Sequence, residues 1–401
     1  MAWEDCSLIG ERRRFVLAAL RGEHAVAWMC RLYGISRKTG FKWLARYHPL
    51  GRAGLQNRSR RPARSPQRLP PRWQAAVRYW RRKRPRWGAK KIHARLRGQR
   101  PRQGRPSVRT INHWLRRWGL TRPRLQRSRR GPAQTRRALT RARRPNEVWK
   151  VDFKGRFHTG DGTRVDPLTV RDLFSRFVLL AHLLSRPRHD TVQAVMARLF
   201  ARRGCPQVIR VDQGVPFAGV GALDLSRRSV WWLRLGIRVE FTRKGCPQDN
   251  GAHEQMPRVL KAETATPPAA TFRGQQQRTA RWVTRYNEER PHEALGQRTP
   301  AEFYRPSPRR YRGRLPAPSY PQGWVTRQVN SRGWISWGGR MRLIGRAFTG
   351  LRVGFKPLRS GVRAVYLERH LIGHLHDTDP GGLRPAMSSK VVFQSLVACS
   401  V

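Results

Sequence analysis

Basic side chains outnumber acidic ones 85 to 23 in this chain of 401 residues, a formal net charge of +62 at neutral pH. A compact chain so charged repels itself unless a polyanion neutralises it. Nucleic acid is the partner this implies, and binding should weaken steeply as salt rises. An arginine-rich coding bias explains the choice of Arg over Lys but not the scarcity of acids. That scarcity makes each well-placed carboxylate stand out. Cys6, Cys30, Cys205, Cys246 and Cys399 form no CxxC pair, which argues against a disulfide framework or a zinc ribbon and fits a reducing compartment. No segment reaches the ~18 consecutive apolar residues of a membrane span. The opening MAWEDCSLIGERRRF lacks a signal-peptide core. A cytoplasmic protein with no membrane partner is expected.

The chain divides by texture into several domains. Residues 1–65 read as a helix-turn-helix unit followed by a basic linker. Phe15 and Ala19, with Val16 and Leu20, are spaced for one helix, and Val26, Met29, Cys30 and Tyr33 for a second. Gly34-Ile35 marks a tight turn. Ser36 is placed to cap a third helix that carries Leu44 and Tyr47 inward. That arrangement leaves Ser36, Arg37, Lys38 and Lys42 to meet DNA; an ordinary three-helix bundle with a basic surface is the plainer alternative. Residues 66–125 repeat the theme as a helical pair. Ala89, Ile92 and Leu96 share one face, Ser107 caps a second helix with Val108, Ile111, Leu115 and Trp118 inward, and Gly119 closes it. A second helix-turn-helix, with Arg109 toward DNA, competes with a dimerisation role. Residues 126–145 are an Arg/Pro-rich linker.

From Asn146 the pattern changes. Trp149, Val151 and Phe153 alternate with Lys150, Asp152 and Lys154, as in a strand. Gly160-Asp161-Gly162 marks a hairpin turn, and strands follow near 167–172 and 176–184. A helix opens at Asp190 with Val192, Val195, Met196, Leu199 and Phe200 in one stripe. A strand delivers Asp212, a helix covers 222–235, a strand spans Ile237–Phe241, and a further helix bears Glu254. Residues 146–305 therefore read as an α/β domain. Residues 306–376 carry short strands between Gly-rich turns, around Trp324, Trp334, Trp337, Phe355 and Tyr366, and predict a small β-barrel. Residues 377–401 read as a tail.

Asp152 lies mid-strand, Asp212 ends a second strand and Glu254 begins a helix. They are far apart in sequence, so only a folded sheet unites them. Hard oxygen donors of this kind suit Mg²⁺, and two such ions can activate a nucleophile and stabilise the leaving oxygen of an in-line displacement. Lys244, Arg258 and Lys261 flank the set and are candidates for phosphate contacts. Among other acids of the region, Asp172 reads as structural and Glu263 as a surface residue.

The segments PNEVWKVDFKG (145–155), PLTVRDLFSR (167–176), RVDQGVPFA (210–218), CPQDNGAHEQMPRVLKAE (246–263) and YNEERPHEAL (286–295) resemble the integrase-core transposases of bacterial insertion sequences. CRLYGISRKTGFKWLARY (30–47) is similar to the same family's helix-turn-helix. The resemblance implies an RNase H-like core and a DDE triad at Asp152, Asp212 and Glu254. It also implies two Mg²⁺ ions with Mn²⁺ as a substitute, and cleavage and strand transfer of double-stranded DNA by a homodimer or larger assembly on the bacterial nucleoid. Two positions depart from the pattern: Gln213 replaces the usual Asn, and Pro257 stands where His is usual. Proline inside a helix removes a backbone donor, so Glu254 could be misaimed. The alternative from another class is a catalytically decayed DNA-binding relative of such an enzyme, and a third is a general RNase H-like nuclease.

Overall fold

A computed structural model describes residues 8–58, 69–98, 104–121, 139–153, 155–212, 225–242, 251–359, 361–378 and 381–385, without the side chains of 251–254, 359 and 385. These residues form two compact units that divide between Leu69 and Pro70. No helix among them is long and apolar enough to cross a membrane.

The first unit holds helices α1 (Leu8–Leu20), α2 (Val26–Leu32) and α3 (Arg37–Leu50), then a 3₁₀ turn at Gly51–Leu55. Phe15, Val16, Met29, Cys30, Trp43 and Leu55 make its core. Ser36 caps α3 as its sequence position implies, accepting from the Thr39 amide at 3.2 Å. The inward face of α3 differs from expectation: Gly40 and Trp43 are buried, while Leu44 and Tyr47 are only partly covered. Gly40 explains the shift, because a Cβ there would stand 2.4 Å from Cys30 Sγ, so only glycine lets α3 approach α2 this closely. Leu20 is 45% exposed and does not join Val16 in the core.

The second unit opens with three helices rather than a pair: α4 (Pro71–Lys83), α5 (Ala89–Leu96) and α6 (Val108–Arg117). Trp73, Val77, Trp80, Trp87, Ile92, Leu96, Ile111 and Leu115 close a core of their own. Ser107 caps α6 through the Thr110 amide at 3.1 Å. The Arg-dense sequence of α4 hides its inward aromatic stripe, which is why periodicity alone missed it.

The α/β sheet contains β1 (Val148–Phe153), β2 (Phe157–His158), β3 (Arg164–Asp172), β4 (Val178–Leu184), β5 (Val208–Asp212) and β6 (Arg238–Thr242). Its order is β2-β3-β1-β5-β6, with β4 also paired to β3. β3 runs antiparallel to β1 and β4, whereas β1, β5 and β6 are parallel. Helices α7 (His189–Arg203) and α8 (Arg227–Arg234) make the crossovers. All five residues expected in the stripe of α7 are buried. This is an RNase H-like topology. Helices α9 (Gly251–Thr264) and α10 (Phe272–Glu288) pack on the β4 side through Met256, Leu260, Trp282 and Tyr286 against Val178 and Ala181. Sequence periodicity did not reveal α10, because the positions it buries include the polar Gln275 and Thr279.

A short helix α11 (Pro300–Phe303) leads into β7 (Val325–Gln328), β8 (Trp334–Trp337), β9 (Arg340–Leu343), β10 (Arg352–Arg359), β11 (Val362–Leu367), β12 (His370–His376) and β13 (Arg384–Pro385). The expected β-barrel is corrected here. Five strands form an open sheet, β13-β12-β11-β10-β7, and β8-β9 form a separate hairpin. Closure is unnecessary because other elements cover the apolar face. Trp337 of the hairpin stacks on Phe355 at 4.4 Å, and the sheet's core is continuous with that of the α/β domain.

The segment after α11 is pinned to the end of α7. The Cys205 amide donates to Arg309 O at 2.7 Å, and Gly204 (φ 73°) would carry a Cβ only 2.4 Å from Ser307 O. Gly204→Ala is expected to destabilise the second unit by about 2–3 kcal/mol. A lower denaturant midpoint at unchanged slope would show it, and an unchanged midpoint would refute the close approach.

Candidate active site

The central sheet has two unlike faces because side chains alternate along each strand. Trp149, Val151, Leu168, Val170, Ile209, Val211, Val239 and Phe241 point into the large apolar core. The other face is polar and runs in rows set by register. One row holds Arg171, Lys150, Arg210 and Glu240; the next holds Thr169 and Asp152 on one pair of strands, with Asp212 and Thr242 on another.

The register between β1 and β5 matches Val148 to Val208 and Lys150 to Arg210. Carried two residues further, the same offset sets Asp152 opposite Asp212. Strand alternation puts Asp152 on the Lys150 side of β1 and Asp212 on the Arg210 side of β5, so both belong to the polar face. Asp152 is buried and its backbone carbonyl accepts from Thr169 Oγ1 at 3.2 Å. The Asp212 side chain is 34% exposed. Its Oδ1 accepts from Thr242 Oγ1 at 2.8 Å and forms an ion pair with Lys150 Nζ. Lys150 is only 1% exposed. Sequence alternation puts Lys150 on the Asp152 side of β1, so the signal was available, but a basic residue in so basic a chain attracts no notice.

Arg210 and Glu240 lock the row beneath. Arg210 Nε and Nη2 donate to Glu240 Oε2 at 3.1 and 2.9 Å. Glu240 Oε1 also accepts from the Thr140 amide at 3.2 Å and from its hydroxyl, and Arg210 Nη2 donates to Thr140 O at 2.6 Å. The segment before β1 is thus tied across β5 and β6.

Glu254 lies on α9, which packs on this side of the sheet; its side chain is outside the described residues, as are Lys154, Gln213 and Lys244. Among the described residues no group of three His, Cys, Asp or Glu is placed to hold a metal. Pro257 does not end α9, which continues to Thr264. Arg258 and Lys261 are exposed on it. Lys261 reaches back toward the end of β1, its Cδ 3.6 Å from where a Gly155 Cβ would stand. In the first unit Arg37, Lys38 and Lys42 are exposed, and Lys42 leans on the Trp43 ring at 4.5 Å. The Ser36 hydroxyl is engaged in capping. Arg109 is exposed on α6.

Asp172 is structural, as its sequence setting implies. It is fully buried and accepts from the Asn146 amide, the Ser175 amide and Ser175 Oγ at 2.8, 2.7 and 2.6 Å. Burial nevertheless raises its pKa above the usual carboxylate range. Glu263 is not the free surface residue expected. Trp282 Nε1 and Arg290 Nη1 donate to it at 2.8 and 3.0 Å, because α10 folds back along α9.

Comparison with known proteins agrees with this architecture. Residues 142–247 and 235–300 match integrase core domain families. Residues 11–63 match a helix-turn-helix domain, 39–115 a homeodomain-like domain, and 324–378 the C-terminal domain of IS481 family transposases. An uncharacterized 31.7 kDa protein of insertion element IS407 from Burkholderia multivorans is 31% identical over 184 residues, 45% of this chain and 63% of that protein. An uncharacterized 39.2 kDa protein of insertion element IS476 from Xanthomonas euvesicatoria is 27% identical over 229 residues, 54% of this chain and 60% of that protein. The chain therefore spans less than two thirds of these relatives' length. Among solved structures, the HTLV-2 integrase catalytic core is 13% identical with a TM-score of 0.33, covering 41% of this chain and 100% of that one.

Glu240→Leu is expected to cost about 3–5 kcal/mol, since it strands Arg210 as a buried unpaired charge. Adding Arg210→Met should recover most of that loss in urea unfolding. A double variant no more stable than the single one would mean that Arg210 matters for its bond to Thr140 rather than for the pair.

Proposed function

We propose that this chain, which carries the integrase core of bacterial insertion-sequence transposases, binds the ends of its DNA element and catalyses their cleavage and strand transfer. What supports the reading is the register of parallel strands β1 and β5, which, extended two residues beyond the Lys150–Arg210 pair, sets Asp152 opposite Asp212 on the polar face. The domain order supports it, with helix-turn-helix sequence ahead of the core. Joining two ends requires that both be held at once, so a dimer or larger assembly on double-stranded DNA is part of the proposal.

The donor set fits a hard divalent cation: two carboxylates share one face, and an ammonium already sits on one of them. Asp152, Asp212 and Glu254 would hold Mg²⁺, or Mn²⁺ in its place, which when bound supplies Lewis-acid activation of the attacking oxygen and neutralises charge on the phosphate. The protein's own groups set the stage. Thr242 fixes the rotation of the Asp212 carboxylate through its 2.8 Å hydrogen bond. Lys150 balances the charge of Asp212. Arg258 and Lys261 on α9, with Lys154 and Lys244, are placed in the sequence to hold phosphates beside the acids, and Lys261 already borders the end of β1. Arg37, Lys38 and Lys42 on α3, together with Ser36 at its N-terminus, and Arg109 on α6, would contact the duplex.

Asp152→Asn and Asp212→Asn should each lower Mg²⁺-dependent cutting of labelled element-end DNA by about 10³-fold or more, the scale of losing one catalytic group, while DNA binding persists. Cutting that survives either change would overturn the reading. Equal cutting of DNA lacking the terminal repeats would point to a general nuclease, and wild-type binding without cutting to a decayed relative.

Because Lys150 occupies Asp212 Oδ1, a divalent ion must displace it. Lys150→Met is therefore expected to tighten Mn²⁺ binding about tenfold, or roughly 1.4 kcal/mol, as read from the loss of the free Mn²⁺ spectroscopic signal on titration. Unchanged or weaker affinity would show that the ammonium supports the site without competing for it.

A further inference from the structure

The second unit also contains a cleft of about 460 Å³ between the turn after α4 and the α9–α10 pair. Lys83, Arg84, Arg86, Arg285 and Arg290 line it, with Glu263 as the one lining acid. The available acids are already committed. Glu263 receives Arg290 and Trp282, and Glu289, beside the cleft, receives Arg84 at 2.6 Å. Arg285 and Arg86 have no acid partner among the described residues. Burial and the nearby Arg84 pull the Arg285 pKa down, against the weaker opposite pull of Glu263 and Glu289. Lys91, outside the cleft lining, has its pKa lowered to about 8 by burial and by Arg290, despite Glu293 and Glu263.

Cations so crowded are held together only because the helical domain is docked on the core. Arg84 pairs with Glu289, Lys90 with Glu293, and Lys91 Nζ donates to Pro291 O at 2.5 Å. These contacts fix the walls of the cleft without neutralising it. The cleft is also lined by the largely buried Trp87, Trp282 and Tyr286, which lowers the local dielectric and raises the value of an incoming anion. The volume falls in the ordinary range for a ligand site, and the guanidinium forks of Arg86 and Arg285 match phosphate oxygens in pairs.

We infer that this cleft seats a phosphodiester of a DNA strand, so that the helical domain and the core grip the same strand at their junction. The inference rests on the reading of the chain as a DNA-acting enzyme. A free phosphate shares the chemistry, but a chain of net charge +62 concentrates polyanions far more than small ions.

The test uses the full chain and its Arg86→Gln/Arg285→Gln variant, with a generic-sequence DNA duplex as probe. Each lost phosphate contact removes about 0.9 from the slope of log affinity against log salt. The variant should bind several-fold more weakly, with a slope shallower by about 1, at unchanged thermal stability. Equal slopes for variant and wild type would overturn the cleft proposal while leaving the enzyme reading intact; a wild type that binds no DNA at any salt would sink both. Equal slopes together with stabilisation of the wild type alone by inorganic phosphate would assign the cleft to a free anion instead. A variant that melts early is replaced by Arg86→Lys/Arg285→Lys, which keeps both charges but loses the paired fork, and should weaken binding while leaving the slope within about 0.3 of wild type. A shift of about 1 in that variant would also count against the proposal.

Discussion

The ion pair between Lys150 and Asp212 is the contact on which the site depends. Two carboxylates on neighbouring strands repel each other, and burial magnifies the cost. The sheet meets that cost by ordering charge in rows. Arg171, Lys150 and Arg210 lie one pleat below the row of Asp152 and Asp212, so a band of positive charge underlies the band of negative charge. Glu240 then balances Arg210 at the far edge, with Thr140 completing the hydrogen bonds of both. Without the lysine, that repulsion would have to be balanced by cations from solution.

This row order also explains why the opposite face is uniformly apolar. A strand that places Lys150 and Asp152 on one side places Trp149 and Val151 on the other, and a slip of one residue would bury both charges in the large core. Asn146 holds that register at the start of β1, adopting a positive φ of 65° while its amide donates to Asp172 and its side chain receives Trp149 Nε1 at 3.1 Å. Asp172 therefore serves the site at a distance, by fixing where β1 begins.

Sequence pattern exposed the elements whose buried side is apolar. The stripe of α7, the alternation of β1 and the caps at Ser36 and Ser107 were all readable because hydrophobic period and capping chemistry are local. It failed where partners come from elsewhere in the chain. Helix α10 can bury Gln275 because its side-chain amide bonds to Thr264 O and the Ala269 amide, and no periodicity reports that. Glu263 looked like surface until Trp282 and Arg290 met it. The C-terminal strands gave the right textures for a small β domain, but whether a sheet closes depends on what else covers its face, and here a hairpin and the continuous core do. For the site, sequence named the acids and their order; the structure adds the pairing of Asp212 with Lys150 and Thr242.

The positive charge of the chain is thus spent in two ways with different physics. Lys150, Arg210 and Arg290 are paired at short range in poorly solvated surroundings, where salt screens little. Arg37, Lys38, Lys42 and Arg109 are exposed, and in the proposed function they would meet DNA through contacts that counterions readily replace. Rising salt should strip the second set of its DNA long before it loosens the first, so release of DNA and loss of the acid face are separable events. The docked helical domain lies between these regimes: its ion pairs to α10 are partly buried, yet the cleft they frame carries unspent charge. A DNA strand bound there would add its own attraction to the Arg84–Glu289 and Lys90–Glu293 pairs that already cross the junction, and the domain interface would become tighter with DNA than without it.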